Sequence, residues 1–371
     1  MTDPRLTQLA DNLVNYSCRV QPGERVLIEM FDCEDILAEE LIKAVYRAGG
    51  VPFVDVIRTK VQREWLIGLS KEQVELQTKW DLARMEDMDA YIAFRGSENS
   101  MENSDVPTEQ MHYYQSIYSH QVHSELRVKN TKWVVLRYPN PSMAQLSGKS
   151  TRSFEDFYFN VCNLDYSKMN EAMKPLVALM ERTDKVRITA KDTDITFSIK
   201  GQKAVPCAGH CNIPDGEVYT SPIRDSINGR ITYNTPSIYQ GFKFENVSLL
   251  FKDGKIIEAT ANDNERINHI FDTDDGARYV GEFALGVNPY IMDPMCDILF
   301  DEKISGSIHF TPGSAYDDAD NGNRSAIHWD LVLIQREEWG GGDIWFDDVL
   351  IRHNGRFMIP ELECLNPENL I

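Results

Sequence analysis

Apolar residues in the first part of the chain occur in short continuous runs that alternate with helical spacing. The run at 25–30 predicts a buried strand, and the spacing over 34–48 predicts a helix that ends at Gly49-Gly50. The run at 51–57 predicts the next strand. Strand, helix and strand in this order indicate one βαβ unit.

The same alternation continues to residue 137. A helical stretch near 63–82 is followed by strands predicted at 90–94 and 133–137. Strands that alternate with helices indicate a mostly parallel sheet with both faces covered. We therefore expect an α/β N-terminal domain.

The pattern changes in the second half of the chain. After helices predicted at 154–159 and 166–182, residues 186–199 alternate in the manner of strands on both sides of a turn. Further strands are predicted at 247–252, 255–261 and 343–358. We expect an α/β domain over 1–183 and a β-rich α+β domain over 184–371.

Composition and charge narrow the classes of function. The 371 residues include 38 basic and 58 acidic side chains, and the net charge of −20 disfavours nucleic acid and anionic membrane surfaces as partners. The start of the chain lacks the features of a signal peptide, so we expect a soluble, cytoplasmic protein. Seven scattered cysteines are unsuited to a disulfide framework, and we expect them to be reduced.

Two histidines and an aspartate in the second half of the chain are candidate metal ligands. His309, His328 and Asp330 supply the nitrogen and oxygen ligands that divalent transition metals accept. In a His-x-Asp on a strand, both side chains project from the same face. Polar residues in a stretch rich in glycine and asparagine are also typical of turns, so spacing alone leaves both interpretations open.

Two glutamates strengthen the metal interpretation. Glu217 follows a turn within 212–222, and Glu282 lies among apolar, strand-forming residues within 279–289. Burying Glu282 without a partner would be costly. A metal ion, another cation or an exposed strand face would have to account for it.

These segments resemble a known family, the M29 aminopeptidases, also called the aminopeptidase T family. One of the matching segments lies outside the metal region: it is Met143-Ala144-Gln145, followed by 154–158. The other matching segments are 212–222, 281–285, 307–316, with His and Tyr seven apart, and 327–330. The resemblance implies that five residues bind the ions of a two-metal site, with Glu282 as the bridge: Glu217, Glu282, His309, His328 and Asp330.

Two more residues acquire roles from the resemblance. Tyr316 matches the active-site tyrosine, which would donate a hydrogen bond to the tetrahedral oxyanion. Glu302 resembles another metal ligand, although two extra residues separate it from His309. Either Glu217 or Glu302 would act as general base.

The implied activity is hydrolysis of the first residue from short peptides. Its cofactors would be two divalent ions, and zinc, cobalt, manganese and magnesium all tolerate such a mixed ligand set. The resemblance also implies a homodimer. No Gly-x-Gly-x-x-Gly follows the first predicted strand, so a dinucleotide cofactor is unsupported.

Two other functions compete with this prediction. His309, His328 and Asp330 alone form the two-histidine, one-carboxylate triad of a single-iron, ring-cleaving dioxygenase. A binding protein for peptides or small ligands could keep the scaffold without turnover. Glu217 and Glu282, together with Tyr316, favour two metals and hydrolysis.

Overall fold

The chain divides into two compact units, and the computed structural model describes residues 3–99 and 101–371. The first unit comprises the described residues up to Asn163, together with Gly209–Ile213. The second comprises Leu164–Ala208 and Pro214–Ile371. The helix at 166–182, which the apolar pattern placed in the N-terminal domain, is part of the second unit.

The described residues contain strands and helices as follows. The strands are β1 (Arg25–Phe31), β2 (Val51–Ile57), β3 (Ala90–Arg95), β4 (Lys132–Arg137), β5 (Lys185–Ala190), β6 (Thr193–Ser198), β7 (Val205–Cys207), β8 (Asn212–Ile213), β9 (Glu217–Thr220), β10 (Asn228–Thr232), β11 (Ser237–Tyr239), β12 (Phe242–Phe244), β13 (Ser248–Lys252), β14 (Lys255–Thr260), β15 (Val280–Gly286), β16 (Ser307–Pro312), β17 (Val332–Ile334), β18 (Gly342–Phe346), β19 (Val349–His353) and β20 (Arg356–Phe357). The α-helices are α1 (Pro4–Asn12), α2 (Asp35–Arg47), α3 (Thr59–Ile67), α4 (Lys71–Met85), α5 (Thr108–Tyr113), α6 (Val128–Asn130), α7 (Pro141–Leu146), α8 (Thr151–Cys162), α9 (Tyr166–Arg182), α10 (Asn264–Phe271), α11 (Ile298–Asp301) and α12 (Pro367–Leu370). Two π-helices span Leu13–Ser17 and Tyr114–Arg127, and 3₁₀-helices span Asp317–Ala319, Glu337–Trp339 and Pro360–Leu365.

The first unit contains the predicted parallel sheet. Its strand order is β2-β1-β3-β4-β8, and every neighbouring pair is parallel. The central residues of β1 and β3 are buried, as expected of a sheet with both faces covered. The stretch predicted as one helix at 63–82 is two helices, because the chain breaks at Gly68 and α4 starts at the N-cap Ser70.

The second unit is built on two larger sheets. An eight-stranded sheet has the order β14-β13-β10-β6-β5-β18-β19-β20, and a five-stranded sheet has the order β17-β16-β15-β9-β7. The hairpin predicted at 186–199 is β5 with β6. The region predicted as strand at 343–358 is three strands, since Asp347, Asp348 and Asn354 adopt positive φ angles at the turns between them.

Aromatic side chains pack between the two large sheets of the second unit. They occupy one face of its five-stranded sheet and leave the opposite face outside this aromatic core. Phe197 of β6 lies 5.0 Å, between ring centroids, from both Phe283 of β15 and Phe310 of β16. Phe251 of β13 lies 5.9 Å from Phe310. Because neighbouring residues in a strand point to opposite faces, the residues on either side of Phe283 and Phe310 face away from this core.

The expected fold class is confirmed: an α/β unit with a parallel sheet precedes a β-rich α+β unit. All seven cysteines lie within the described residues, and none of them is disulfide-bonded. None of the described helices is long and apolar enough to cross a membrane.

Candidate metal centre

The register of three strands brings predicted ligands onto one face of the five-stranded sheet. Ala284 of β15 lies opposite His309 of β16, and Gly286 lies opposite Glu217 of β9. Glu282 is two residues before Ala284, so all these side chains share the face that points away from the aromatic core. Gly286 on that face lets the backbone at Ile304 approach closely, since a Cβ there would lie 2.4 Å from Ile304 O.

The remaining two predicted ligands come from the segment before β17. His328 forms an isolated bridge with Gly313. Trp329 is buried, and its ring stacks on that of Tyr239 at 4.6 Å, which anchors the segment. The side chains of His328 and Asp330, on either side of Trp329, offer ligand atoms within 4.8 Å of those of Glu282, although neither residue lies within a named strand.

Glu282 lies between the two imidazoles. His309 Nε2 is 3.1 Å from Glu282 Oε1 and 3.4 Å from Glu217 Oε2. His328 Nε2 is 3.3 Å from both Glu282 Oε2 and Asp330 Oδ1. These five predicted ligands therefore form two groups of three, Glu217-Glu282-His309 and Glu282-His328-Asp330, and the ligand atoms of each group lie within 4.8 Å of one another. A third group of possible ligands in the described residues, Cys207-Asp215-Glu217, also includes Glu217.

Backbone carbonyl groups orient both imidazoles. His309 Nδ1 donates to Glu302 O at 3.2 Å, and His328 Nδ1 donates to Ser314 O at 2.8 Å. These bonds leave Nε2 of each ring facing the carboxylates, the arrangement typical of metal-binding histidines. Thr311 adds a hydrogen bond of 2.7 Å from its hydroxyl to Asp330 Oδ1.

Two buried polar atoms at this centre lack hydrogen-bond partners among the described residues, which bears on whether the site suits a cation. Glu217 Oε2 and His328 Nε2 are buried and have no hydrogen-bond partner among the described residues. Buried polar atoms without partners are rare in native proteins because leaving them unsatisfied is costly. A divalent ion in each of the two ligand groups would satisfy them, and imidazole and carboxylate are ligands that zinc, cobalt and manganese accept. The residues present fit such an ion.

The charges at this centre are strongly coupled. Burial alone would raise the pKa of Glu282, but the adjacent imidazoles of His309 and His328 outweigh it and lower that pKa. The pKa of Asp330 is likewise lowered by His328 against the effect of burial. The carboxylates in turn raise the pKa of both imidazoles despite their burial. A proton and a metal ion compete for the same nitrogen, so binding of an ion would release protons.

Glu302 does not join either group of ligands. Its carboxylate contacts the ammonium group of Lys303, and its backbone carbonyl accepts the hydrogen bond from His309. Lys303 is a residue that the sequence analysis did not single out. Its side chain is only 1% exposed, and its Nζ lies 3.2 Å from Glu217 Oε1. The one signal for it was its position next to a predicted ligand.

Tyr316 lies at the edge of the centre. Its ring is 4.6 Å from that of His328 and 5.7 Å from that of Tyr219, while half of the residue remains exposed. Partial burial and the nearby carboxylates, Glu282 first among them, raise the pKa of the phenol well above its usual value. The hydroxyl therefore keeps its proton at neutral pH and can donate a hydrogen bond.

A family profile described as thermophilic metalloprotease (M29) matches residues 2–357. The chain belongs to the M29 family. The family resemblance predicted from five short segments is therefore confirmed over nearly the whole length.

Curated relatives of this M29 protein carry aminopeptidase names. Aminopeptidase 2 of Geobacillus stearothermophilus is 32% identical over 157 residues, which cover 37% of this chain and 36% of that protein. Aminopeptidase AmpS of Bacillus subtilis is 33% identical over 141 residues, again about a third of each chain. Aminopeptidase T of Thermus thermophilus is 24% identical over 386 residues, covering 90% of this chain and 93% of the relative.

Two solved structures have the same fold as the M29 chain. Wild-type AmpT from Thermus thermophilus superimposes with a TM-score of 0.81 at 19% identity, over 96% of this chain and 99% of that one. A 2,5-dihydroxypyridine dioxygenase from Pseudomonas putida gives a TM-score of 0.62 at 14% identity, over 98% and 99% of the two chains. At these identities the likeness shows the fold, and the choice of chemistry depends on the site residues.

Proposed function

We propose that this protein is a metal-dependent aminopeptidase that removes the first residue from short peptides. The observation that carries the proposal is the pair of ligand groups joined at Glu282. Membership of a metalloprotease family and the aminopeptidase names of the relatives support the same activity.

In this proposal five side chains, of which those of His328 and Asp330 are only partly buried, would hold two divalent ions. Glu282 belongs to both groups of possible ligands, so it would contribute to both ion positions, with Glu217 and His309 at one and His328 and Asp330 at the other. Ions bound here would lower the pKa of water toward neutrality, polarise the scissile carbonyl and hold the free α-amino group of the peptide. Zinc, cobalt, manganese and magnesium remain the candidates.

The chain's own residues supply the remaining roles. Tyr316, with its proton retained, donates a hydrogen bond to the oxyanion that develops on the substrate carbonyl. Glu217 is the better candidate for general base, because its Oε2 has no hydrogen-bond partner among the described residues. Glu302 is the poorer candidate, since its carboxylate contacts Lys303 and lies outside both ligand groups.

The dioxygenase alternative has weaker support. The three residues of its triad are present, but Glu217 adds a carboxylate that a single-iron triad does not require. The family profile that matches this chain is that of a metalloprotease. The predicted homodimer and the predicted cytoplasmic location stay predictions.

The decisive experiment measures metal-dependent release of N-terminal residues. Protein stripped with a chelator should not hydrolyse aminoacyl-p-nitroanilides or dipeptides, and adding back a divalent ion should restore activity. N-acetylated peptides of the same sequence should not be cleaved, because they lack the free amino group.

Variants connect this activity to the centre. His328→Ala should abolish hydrolysis while the protein stays folded, and His269→Ala, which removes an exposed histidine of α10, should retain full activity. Full activity in the His328→Ala variant would contradict the proposal. So would one tightly bound iron per chain with oxygen consumption on a dihydroxypyridine.

A further inference from the structure

A buried ammonium group lies inside the candidate metal centre. Lys303 Nζ is 3.2 Å from Glu217 Oε1 and 4.0 Å from Asp215 Oδ1, and it also contacts the Glu302 carboxylate. The side chain is 1% exposed. Burying a charged amine is costly unless carboxylates pair with it, and three carboxylates surround this one. The chain itself therefore supplies a cation to this cluster.

The backbone holds Lys303 in this position. Its N–H donates to Phe300 O at 3.0 Å, and its carbonyl accepts from Asn288 N–H at 3.1 Å. Gly286 allows this close approach, since a Cβ at that position would lie 2.4 Å from Ile304 O. The lysine side chain thus starts from a fixed point at the end of α11, directed at Glu217.

The two groups of ligands differ in the cations that already contact them. The ion pairs of Glu282 and Asp330 within the described chain are formed with His309 and His328, which can offer a nitrogen lone pair to a metal ion. Glu217 also contacts His309 through Oε2, but its Oε1 contacts Lys303, whose ammonium group has only donors and repels a metal ion. The position beside Glu217 is therefore the weaker one for a second ion.

We propose that Lys303 occupies the cation position beside Glu217, so that the chain binds one divalent ion tightly at Glu282, His328 and Asp330 and a second ion much more weakly. The ammonium group of Lys303 competes with the second ion for the Glu217 carboxylate, and it holds that carboxylate in place when the second ion is absent. Turnover at limiting metal then proceeds with one ion, and the second binds only when metal is abundant.

This inference rests on the proposed function, but the two can fail separately. Absence of any divalent-ion binding would remove the proposed metalloenzyme and the inference together. Two ions bound with equal affinity would leave the aminopeptidase proposal intact and refute only the role of Lys303.

The test is a titration of chelator-stripped protein with Co²⁺ or Mn²⁺, followed by calorimetry and by counting ions per chain after gel filtration. Wild-type protein should bind one ion, then a second at least about tenfold more weakly, because the ammonium group repels it. Lys303→Gln should tighten the second site by about tenfold or more and raise the ion count toward two. Lys243→Gln removes an exposed lysine that pairs with Glu245, and it should match the wild type.

A second variant guards against misfolding of Lys303→Gln. Glu217→Gln should leave the affinity of the tight ion within about threefold of wild type, because the tight site does not include Glu217. Two wild-type sites within threefold of each other would overturn the inference. An unchanged or weakened second site in folded Lys303→Gln would do the same, as would loss of the tight ion in Glu217→Gln.

Discussion

Glu282 shows how a single residue constrains the rest of the centre. It is a buried carboxylate with one oxygen directed to His309 and the other to His328. Each imidazole is in turn held by a backbone carbonyl, so its orientation does not depend on a bound ligand. Its isolation among apolar residues in the sequence predicted that Glu282 needed a partner, and the partners are these two rings.

The role proposed for the Tyr316 hydroxyl can be tested by removing that single oxygen atom. Tyr316→Phe keeps the ring beside His328 but removes the hydroxyl that is proposed to bind the oxyanion. We expect kcat for aminoacyl-anilides to fall about 10²-fold, with KM and the number of bound ions little changed, because the contact forms mainly in the transition state.

Steady-state kinetics and ion counting on purified protein check this expectation. Tyr46→Phe, at an exposed tyrosine of α2, is the matched control and should behave as wild type. A Tyr316→Phe enzyme with wild-type kcat would show that the phenol has no part in catalysis.

At the scale of elements, the strands that hold the ligands depend on close backbone contacts. A Cβ at Gly281 of β15 would lie 2.3 Å from Ser314 O, the same carbonyl that accepts the hydrogen bond from His328. Gly281 therefore connects the packing of β15 to the orientation of the His328 imidazole, which lies beyond β16 in the sequence. No substitution at this position can avoid moving that carbonyl.

Gly281→Ala should consequently affect stability and metal binding together. We expect a loss of about 1–3 kcal/mol in unfolding free energy from overpacking, and weaker binding of the tight ion because Ser314 no longer orients His328. Denaturant unfolding and metal titration measure the two effects.

The control for this variant is Gly68→Ala, at the end of α3, where an added Cβ meets no atom within 4 Å. It should leave metal affinity unchanged. A Gly281→Ala protein with wild-type stability and metal affinity would show that the segment at Ser314 adapts without cost.

Local patterns predicted most elements but not the contacts between them. The apolar residues at 51–57 and 166–182 have the spacing of a strand and of a helix, and the ends of both segments are marked in the sequence. The structure contains these segments as β2 and α9. Lys303 could not be found in this way. Its partner Glu217 lies 86 residues earlier, and the direction of a side chain after a short helix depends on tertiary packing.

At the scale of the whole molecule, every predicted ligand lies in the second unit. Residues between Glu217 and Asp330 reach one site because β9, β15 and β16 are neighbours in one sheet. The sequence indicated the ligand types and that these segments are extended, but strand order and register depend on long-range pairing that local periodicity does not encode. The segments that carry the candidate ligands could therefore be named from the sequence, whereas their mutual geometry could not.

This placement predicts where a bound ion stabilises the protein. An ion at 100 times its dissociation constant adds about 2.7 kcal/mol to the stability of the state that binds it. Hydrogen exchange measured by mass spectrometry, with Co²⁺ or with chelator, should slow by up to about a hundredfold in peptides from β15 and from residues 327–331, because the tight ion would join these segments through Glu282, His328 and Asp330. Peptides from β1 and β3 provide the internal comparison, since they contribute none of the proposed ligands. If the largest protection appeared in β1 and β3 instead, the ion would bind in the first unit, and the ligand set centred on Glu282 would be wrong.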